Sequence, residues 1–497
     1  MGAPAEANSP ITDPTEAKLA KRKSLIEAGY EAYPHKFERT HMAAELQETY
    51  KDLEDGSETE DNVAIAGRVM AMRNNGMFID LMDTSGRIQV FCHKDSMNED
   101  ELAKLKFFDI GDVINAFGTI RRTPRGELSV RCTSVSMLSK STLPLPEKHH
   151  GLSDIEQRYR QRYVDLIMNE ESKDTLLARS KIIKFIRDYL NADGALEVEN
   201  PMLQPIMGGA SAKPFITHHN TLGSDFYLKV AAELYLKRLL VGGLAEHVYE
   251  IGRYFRNEGI SPKHNPEFTM GEGNKLYATY EDMMNLIEDL VSKTVEFLHG
   301  KHEIVYGDHV INFARPWKRI SMVDSVKEAT KIDFLAIGSA EDAQKAAKEY
   351  GLAVDPKWNW GQVVEEMFAE YVEPKLIQPT HITDFPFEIS PLAKPHQTNP
   401  RLVERFETFV NGWEIANAFT ELNDPDVQYE RFMDQVAQRE AGDDEAQMLD
   451  EDYITALRYG LPPNAGWGLG IDRLVMILTN SANIRDVICF PTLKPKA

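Results

Sequence analysis

Glu250-Ile251-Gly252-Arg253-Tyr254-Phe255-Arg256-Asn257-Glu258-Gly259 runs into a polar loop, and Asn265-Pro266-Glu267-Phe268-Thr269-Met270-Gly271-Glu272 returns from it, so the two stretches read as one long hairpin. Strand alternation puts Gly252, Tyr254 and Arg256 on one face, and an arginine then projects from a sheet beside Phe268 and the carboxylates of the return strand. A guanidinium fork with a permanent charge suits a phosphate; an Arg–Glu ladder across the hairpin is the other reading of the same residues. Around this hairpin, from His149 to the C-terminus, helices alternate irregularly with strands, with no internal repeat and no regular βαβ alternation. That pattern predicts an antiparallel-sheet α/β or α+β domain rather than a doubly wound one.

A second hairpin lies downstream. Arg405 to Val410 and Trp413 to Phe419 flank Asn411-Gly412, the strongest two-residue turn signal. Pairing Val410 with Trp413 places Phe409 opposite Glu414, with Glu407 two residues back on the same face. Two converging carboxylates repel unless they share a proton or a cation, and such hard oxygen ligands suit Mg²⁺ bound to substrate phosphates. Two exposed sheet carboxylates is the alternative. Strict alternation sends Asn417 and Glu421 to the other face, so if all four line one pocket a bulge must occur near Ile415 to Asn417. Further on, Gly466-Trp467-Gly468-Leu469-Gly470 precedes an apolar helix opened by Ile471-Asp472-Arg473. Arg473 then sits where a helix N-terminus favours anions, although glycines there also serve tight strand–helix packing.

Upstream, Val63 to Met72, Met77 to Asp83 and Gly86 to Cys92 are short apolar runs separated by Asn74-Asn75-Gly76 and Thr84-Ser85-Gly86; a helical segment and two more runs, Val113 to Ile120 and Gly126 to Ser136, follow. Three strands, a helix and two strands is the order of a five-stranded OB barrel, a frequent reader of single-stranded nucleic acid. Leu143-Pro144-Leu145-Pro146 ends it as a stiff connector. Before it come a loose tail to about residue 15, a helix near Thr15 to Ala28, a short helix near Met42 to Leu53, and six carboxylates within Asp52 to Asp61 that read as a solvated linker. The expected fold class is therefore α+β multidomain: residues 1–61 as tail, helices and acidic linker, 62–148 as the OB barrel, and 149–497 as the large domain.

The chain has 497 residues, 42% hydrophobic and 27% charged, which excludes wholesale disorder and fibrous repeats. A net charge of −22 argues against indiscriminate binding to phosphate backbones, and no DNA partner is expected. Residues 62–148, with twelve basic and ten acidic side chains, escape that objection. Nothing resembles a secretory signal or a membrane span, and Cys92, Cys132 and Cys489 lie too far apart for a disulfide framework or a zinc site. A cytoplasmic, reducing location away from membranes is expected. P-loop, GxGxxG and HExxH signatures are absent.

Taken together, the three segments of the large domain resemble the class II aminoacyl-tRNA synthetases, and in detail the lysyl-tRNA synthetases. Phe255-Arg256-Asn257-Glu258-Gly259 is similar to the family's second motif, Gly468-Leu469-Gly470-Ile471-Asp472-Arg473 to its third, and Gly194 to Pro201 to its first. The resemblance covers nearly the whole chain, including Gly208-Gly209-Ala210, Pro214 to Asn220, Glu233-Leu234-Tyr235-Leu236-Lys237-Arg238 and Thr420-Glu421-Leu422-Asn423-Asp424.

The resemblance implies a lysine–tRNA ligase that activates L-lysine with ATP and passes the adenylate to the 3′ end of tRNA(Lys). It implies Arg256 on the α-phosphate and the substrate carboxylate, Arg473 on the far phosphates, and Phe268 stacked on adenine with Glu258 and His264 nearby. Glu407 and Glu414 would hold Mg²⁺. Gly209 and Glu233 would take the substrate α-amino group, Asn417 would lie near its carboxylate, and Glu272 with Glu421 would recognise the side-chain ammonium. In the barrel, Phe78, Gln89 and Glu127 resemble anticodon readers, although the residue alone would suit Phe78 to the barrel core. The first motif implies a homodimer.

Some positions depart from the family. Glu272-Gly273-Asn274 stands where Glu, an apolar residue and Tyr are usual, and Met207, Asn411 and Trp413 are also unusual. The missing tyrosine motivates a second reading, a synthetase-derived paralogue for another amine-bearing amino acid or another acceptor. A non-catalytic tRNA-binding protein is a third, against which the intact phosphate-binding residues argue.

Overall fold

Val63, Ile65 and Val69 on one strand, Ile79 and Leu81 on the next, and Val90, Ile114, Ile120 and Val130 beyond them all point to one interior, each less than 5% exposed. They close a five-stranded barrel. Its strands are Glu58–Arg73, Phe78–Met82, Arg87–Phe91, Val113–Arg122 and Leu128–Ser139, and the last two lie in exchanged order, as an OB barrel requires. Asn74, Asn75 and Gly76 all adopt positive φ at the first turn, which suits Asn and Gly. Helix Glu99–Lys104 precedes the fourth strand. Asp13 caps helix Pro14–Glu27 through the Thr15 N–H, and the second helix is shorter than expected, Ala43–Thr49. One expectation is corrected: Glu58 to Asp61 are not linker but the first residues of the barrel's opening strand. Glu58 is held there by Arg131 at 2.5 Å and Arg121 at 3.6 Å.

The computed structural model describes residues 13–146, 152–440, 442 and 445–495, and the chain divides into two units between Gly151 and Leu152. Residues 1–12 of the expected tail and the boundary expected at 148–149 lie outside the described residues.

The larger unit is built on an eight-stranded sheet in the order Lys318–Ser321, Thr380–Pro386, Leu402–Val410, Trp413–Thr420, Asn464–Gly470, Glu267–Leu276, His247–Phe255 and Leu196–Glu197. The six central strands are antiparallel, and each edge strand pairs parallel, so the sheet is mixed at its borders. Helices Glu170–Ala192, Tyr280–His299 and Ile471–Leu478 bury their apolar stripes against one face through Ile182, Ile186, Ile287, Leu290, Leu474 and Val475. The other face carries the polar residues described next.

Candidate active site

The first hairpin is paired in register from His247↔Lys275 to Phe255↔Glu267, and the Arg256 N–H donates to Pro266 O at 2.9 Å just past its end. Arg256 does not join an Arg–Glu ladder. Its guanidinium carbon lies 5.3 Å from the centre of the Phe268 ring, and its Nε is buried with no partner among the described residues. A buried, unpaired donor beside a flat aromatic face is an incomplete anion site.

Arg473, in the first turn of helix Ile471–Leu478, donates to the Glu414 carbonyl at 2.6 Å and its carboxylate at 3.1 Å, and meets His264 Nε2 at 3.1 Å. Burial and the neighbouring Arg473 and Lys263 hold His264 below the usual histidine range, so its ring is neutral and can accept from Arg473. Asp472 is turned inward. It accepts from the Thr269 N–H at 2.7 Å and pairs with Arg179, which anchors the helix start on the sheet. Glu258 is exposed at the cavity mouth.

The second hairpin turns at Asn411 and Gly412, both at positive φ. Its register runs Val410↔Trp413, Phe409↔Glu414, then Thr408↔Ala416 and Glu407↔Asn417, so Ile415 is the extra residue of a bulge where one was required. Ile415 and Ala416 both enter the core behind the sheet, and Glu414, Asn417 and Glu421 consequently share the polar face.

Glu407 lies on that face, opposite Asn417, yet does not line the cavity. Arg405 holds its Oε1 at 2.5 Å and reaches Asn417 Oδ1 at 3.0 Å. Burial pushes the Glu407 carboxyl up to about 8, with Glu414 and Glu365 adding to the shift against Arg405. In Glu414 the effect of burial is outweighed by Arg473, Arg256 and Arg405, which hold it below the usual range. The two side chains are 16% and 40% exposed, so the pair is not simply solvated sheet surface. No cluster of three or more His, Cys, Asp or Glu forms a metal cage among the described residues. Two crowded carboxylates beside an anion site are the donor set of a hard cation that draws its remaining ligands from phosphates and water, and in that sense the residues fit Mg²⁺.

At the other end of the cavity three carboxylates converge. Glu233 opens helix Glu233–Val241, Glu272 comes from the first hairpin, and Glu421 follows the second. Glu272 accepts from the Ala232 N–H at 2.6 Å, and burial pushes its carboxyl up to about 8. Gly209, at φ +87°, presents its N–H to Gln447 Oε1 at 3.0 Å. Asn274 is 1% exposed and donates to Glu421 Oε1 at 2.7 Å and Asn464 Oδ1 at 3.3 Å. Beside it, the space over Gly273 is taken by the Trp467 indole, which would lie 2.6 Å from any Cβ there. Lys237, absent from the sequence-based candidates, sits behind Glu233 and Glu421 and pairs with both. Its four-residue spacing from Glu233 on a helix was the available signal.

Of the twelve candidates in this unit, eleven line one cavity: Gly209, Glu233, Arg256, Glu258, His264, Phe268, Glu272, Glu414, Asn417, Glu421 and Arg473. Glu407 is the exception. In the barrel, Phe78 is half-buried and outside the core cluster, 5.2 Å from the Phe91 ring. Phe91 stacks on His93 at 5.5 Å and lies under Arg121 at 4.6 Å. Phe91 and His93, with Arg121 over them, extend the aromatic face beyond what the sequence reading identified, and the alternation Phe91, His93 was the signal. Gln89 is 9% exposed and accepts from Ser129 Oγ at 2.9 Å, whereas Glu127 is exposed before the last strand.

Comparison with known proteins agrees over both units. Residues 63–138 match the family described as OB-fold nucleic acid binding domain. The chain is 51% identical over 486 residues to a lysine–tRNA ligase of Sinorhizobium medicae, covering 98% of each chain. It is 51% identical over 490 residues to one of Rhizobium etli, covering 99% of this chain and 98% of the relative. The similarity to the lysine–tRNA ligase of Carboxydothermus hydrogenoformans is 50% over 488 residues, covering 98% and 99%. Residues 154–494 match the family described as tRNA synthetases class II (D, K and N), and the chain belongs to that family.

Proposed function

We propose that the chain is a lysine–tRNA ligase, and that the cavity between Arg256 and the three carboxylates is where lysine meets ATP. The observation that carries the reading is the polarity of that cavity: an arginine whose buried Nε has no partner, on an aromatic face, at one end, and Glu233, Glu272 and Glu421 at the other. An amino acid with a second ammonium fits this polarity, its carboxylate toward Arg256 and its two cations among the acids.

In the first step a lysine carboxylate oxygen attacks the α-phosphorus of ATP, the bond to pyrophosphate breaks, and lysyl-adenylate remains. In the second, a hydroxyl at the tRNA 3′ end attacks the acyl carbon and AMP leaves. No side chain serves as nucleophile. Arg256 orients the α-phosphate and lysine carboxylate and offsets the charge that builds on phosphorus, Phe268 supports the adenine, and Arg473 with neutral His264 receives the far phosphates. Glu407 and Glu414 would hold Mg²⁺, which supplies charge neutralisation between phosphates. In the barrel, Phe78 with Phe91 would stack unpaired anticodon bases, and Gln89 and Glu127 would address base edges. A cytoplasmic homodimer completes the proposal; a monomer by sedimentation at micromolar concentration would remove its dimeric part.

Asn274 keeps a second amino acid in view, because its amide occupies one oxygen of Glu421. ATP–pyrophosphate exchange, without tRNA, across all amino acids and close lysine analogues is the test. Lysine as best substrate is the expected result, to be followed by tRNA charging. A signal with an analogue and none with lysine would replace lysine as the substrate, and no adenylate with any amino acid would overturn the enzymatic reading.

A further inference from the structure

The Lys237 side chain is completely buried, yet it is not part of the cavity wall. Its ammonium lies 2.5 Å from Glu421 Oε2 and also pairs with Glu233, one helical turn away. The rings of Phe419 and Tyr453 each lie 5.7 Å from it, so two carboxylates and two π faces enclose the charge. Other nearby charges pair among themselves: Lys229 with Glu250, Arg405 with Glu407, and Arg473 with Glu414. What remains at the carboxylate end is Glu233, Glu272 and Glu421 against Lys237, two negative charges in excess when all three acids are ionised; without substrate, burial raises all three carboxyls, Glu272 and Glu421 to about 8.

We propose that Lys237 is a positioning residue for specificity: a built-in cation that holds Glu233 and Glu421 in place and leaves the pocket two negative charges to present as a diammonium amino acid enters. This rests on the lysine reading above. Three unshielded buried acids would retain a proton or recruit a third cation, because an uncompensated charge in such a site costs several kcal/mol. With Lys237 present, the α-ammonium and the side-chain ammonium of the substrate displace the protons held on the raised carboxyls and complete the balance, while its carboxylate faces Arg256. An amino acid with a neutral side chain, such as norleucine, leaves one acid unmatched. Burial works against the Lys237 charge, but the two carboxylates outweigh it and raise its pKa well above the usual value, so the cation is present throughout the working range.

The test is lysine- and norleucine-dependent pyrophosphate exchange with the full-length protein, Lys237→Met and Lys237→Arg, with folding checked by circular dichroism. In Lys237→Met the KM for lysine should rise about tenfold or more while the saturated rate stays within about threefold, the signature of lost binding rather than lost chemistry. Ethylammonium at tens of millimolar should lower that KM and should not lower the wild-type KM. Lys237→Arg should keep the lysine-over-norleucine preference within about threefold of wild type. A KM in Lys237→Met within about twofold of wild type would overturn the proposal, as would a defect that ethylammonium leaves untouched. If the methionine variant does not fold, the arginine variant decides alone: loss of the preference by about tenfold means that charge at this position is not what matters. Absence of lysine exchange in the wild-type protein would instead sink the lysine reading itself, a different result from an active wild type with indifferent variants.

Discussion

Replacing Gly273 by alanine places a methyl group where Trp467 already sits. The new Cβ would lie 2.6 Å from Cε2 and Cζ2 of the indole and 2.7 Å from Nε1, about 1 Å inside normal carbon contact. Gly273 and Trp467 face each other in the middle of an antiparallel ladder that runs from Met270↔Gly470 to Leu276↔Asn464, so the backbones cannot part locally. Trp467 is 4% exposed and donates its indole N–H to His247 Nε2 at 3.3 Å. Burial holds His247 down to about 4, so its ring is neutral and can accept. Overpacking of this kind costs about 1–3 kcal/mol, and a displaced indole forfeits a hydrogen bond worth about 1 kcal/mol more. Gly273→Ala should therefore lose roughly 2–4 kcal/mol. Trp467→Leu, which opens a cavity, should lose roughly 2–3 kcal/mol. In the double variant the methyl enters the vacated space, so its loss should fall short of the sum of the singles by about 1.5 kcal/mol or more. Urea unfolding followed by far-ultraviolet circular dichroism measures all three, using the transition of the larger unit. Losses that add within about 0.5 kcal/mol would refute the claim that the indole fills the missing side chain's volume.

Three further outcomes are expected. Arg256→Ala should abolish adenylate formation while the protein stays folded, and exchange within about tenfold of wild type would remove its assigned role. Phe78→Ala should weaken tRNA charging by about 1–3 kcal/mol in tRNA binding yet spare pyrophosphate exchange; equal loss in both assays would point to barrel destabilisation. Glu272 lies among Glu233, Glu250 and Arg256, and its carboxyl is pushed up to about 8. Because an ammonium binds its ionised form, lysine affinity by calorimetry should improve as pH rises from about 6.5 to about 8.5, approaching a factor of about ten per unit below 8. Glu272→Gln should weaken that dependence, the remainder coming from Glu421, which burial also raises to about 8, and a flat wild-type profile would refute it.

Local signals carried the sequence reading furthest where they were self-contained. Asn411-Gly412 set a hairpin register two residues long, and counting from it made a bulge the condition for one shared pocket face; the structure has that bulge at Ile415, with Glu407 alone of the four outside the cavity. Alternation from Gly252 put Arg256 on the right face without any knowledge of the sheet. What escaped depends on partners distant in the chain. Gly273 and Trp467 are meaningful only as a pair, and nothing within either segment states that the strands are neighbours. Lys237 looks like half of a surface helix pair with Glu233 until Glu421 arrives behind it and the site closes. The acidic run before the barrel was read by composition alone, which cannot anticipate that Arg121 and Arg131 draw Glu58 into a strand.

The bulge at Ile415 decides which side of the sheet the rest of its strand presents to the pocket. With two successive residues turned toward the core, the strand carries one residue more than its partner needs. Straightening the strand at its present length would rotate Asn417, Phe419 and Glu421 together to the apolar side, stranding a carboxylate in the core and emptying the pocket floor, whereas deleting Ile415 or Ala416 would remove the bulge and leave all three on the polar face. Apolar side chains at both Ile415 and Ala416 favour the bulged register, because plain alternation would turn Ala416 out to the polar face. The facing of Asn417, Phe419 and Glu421 therefore rests on two successive apolar residues just upstream of them.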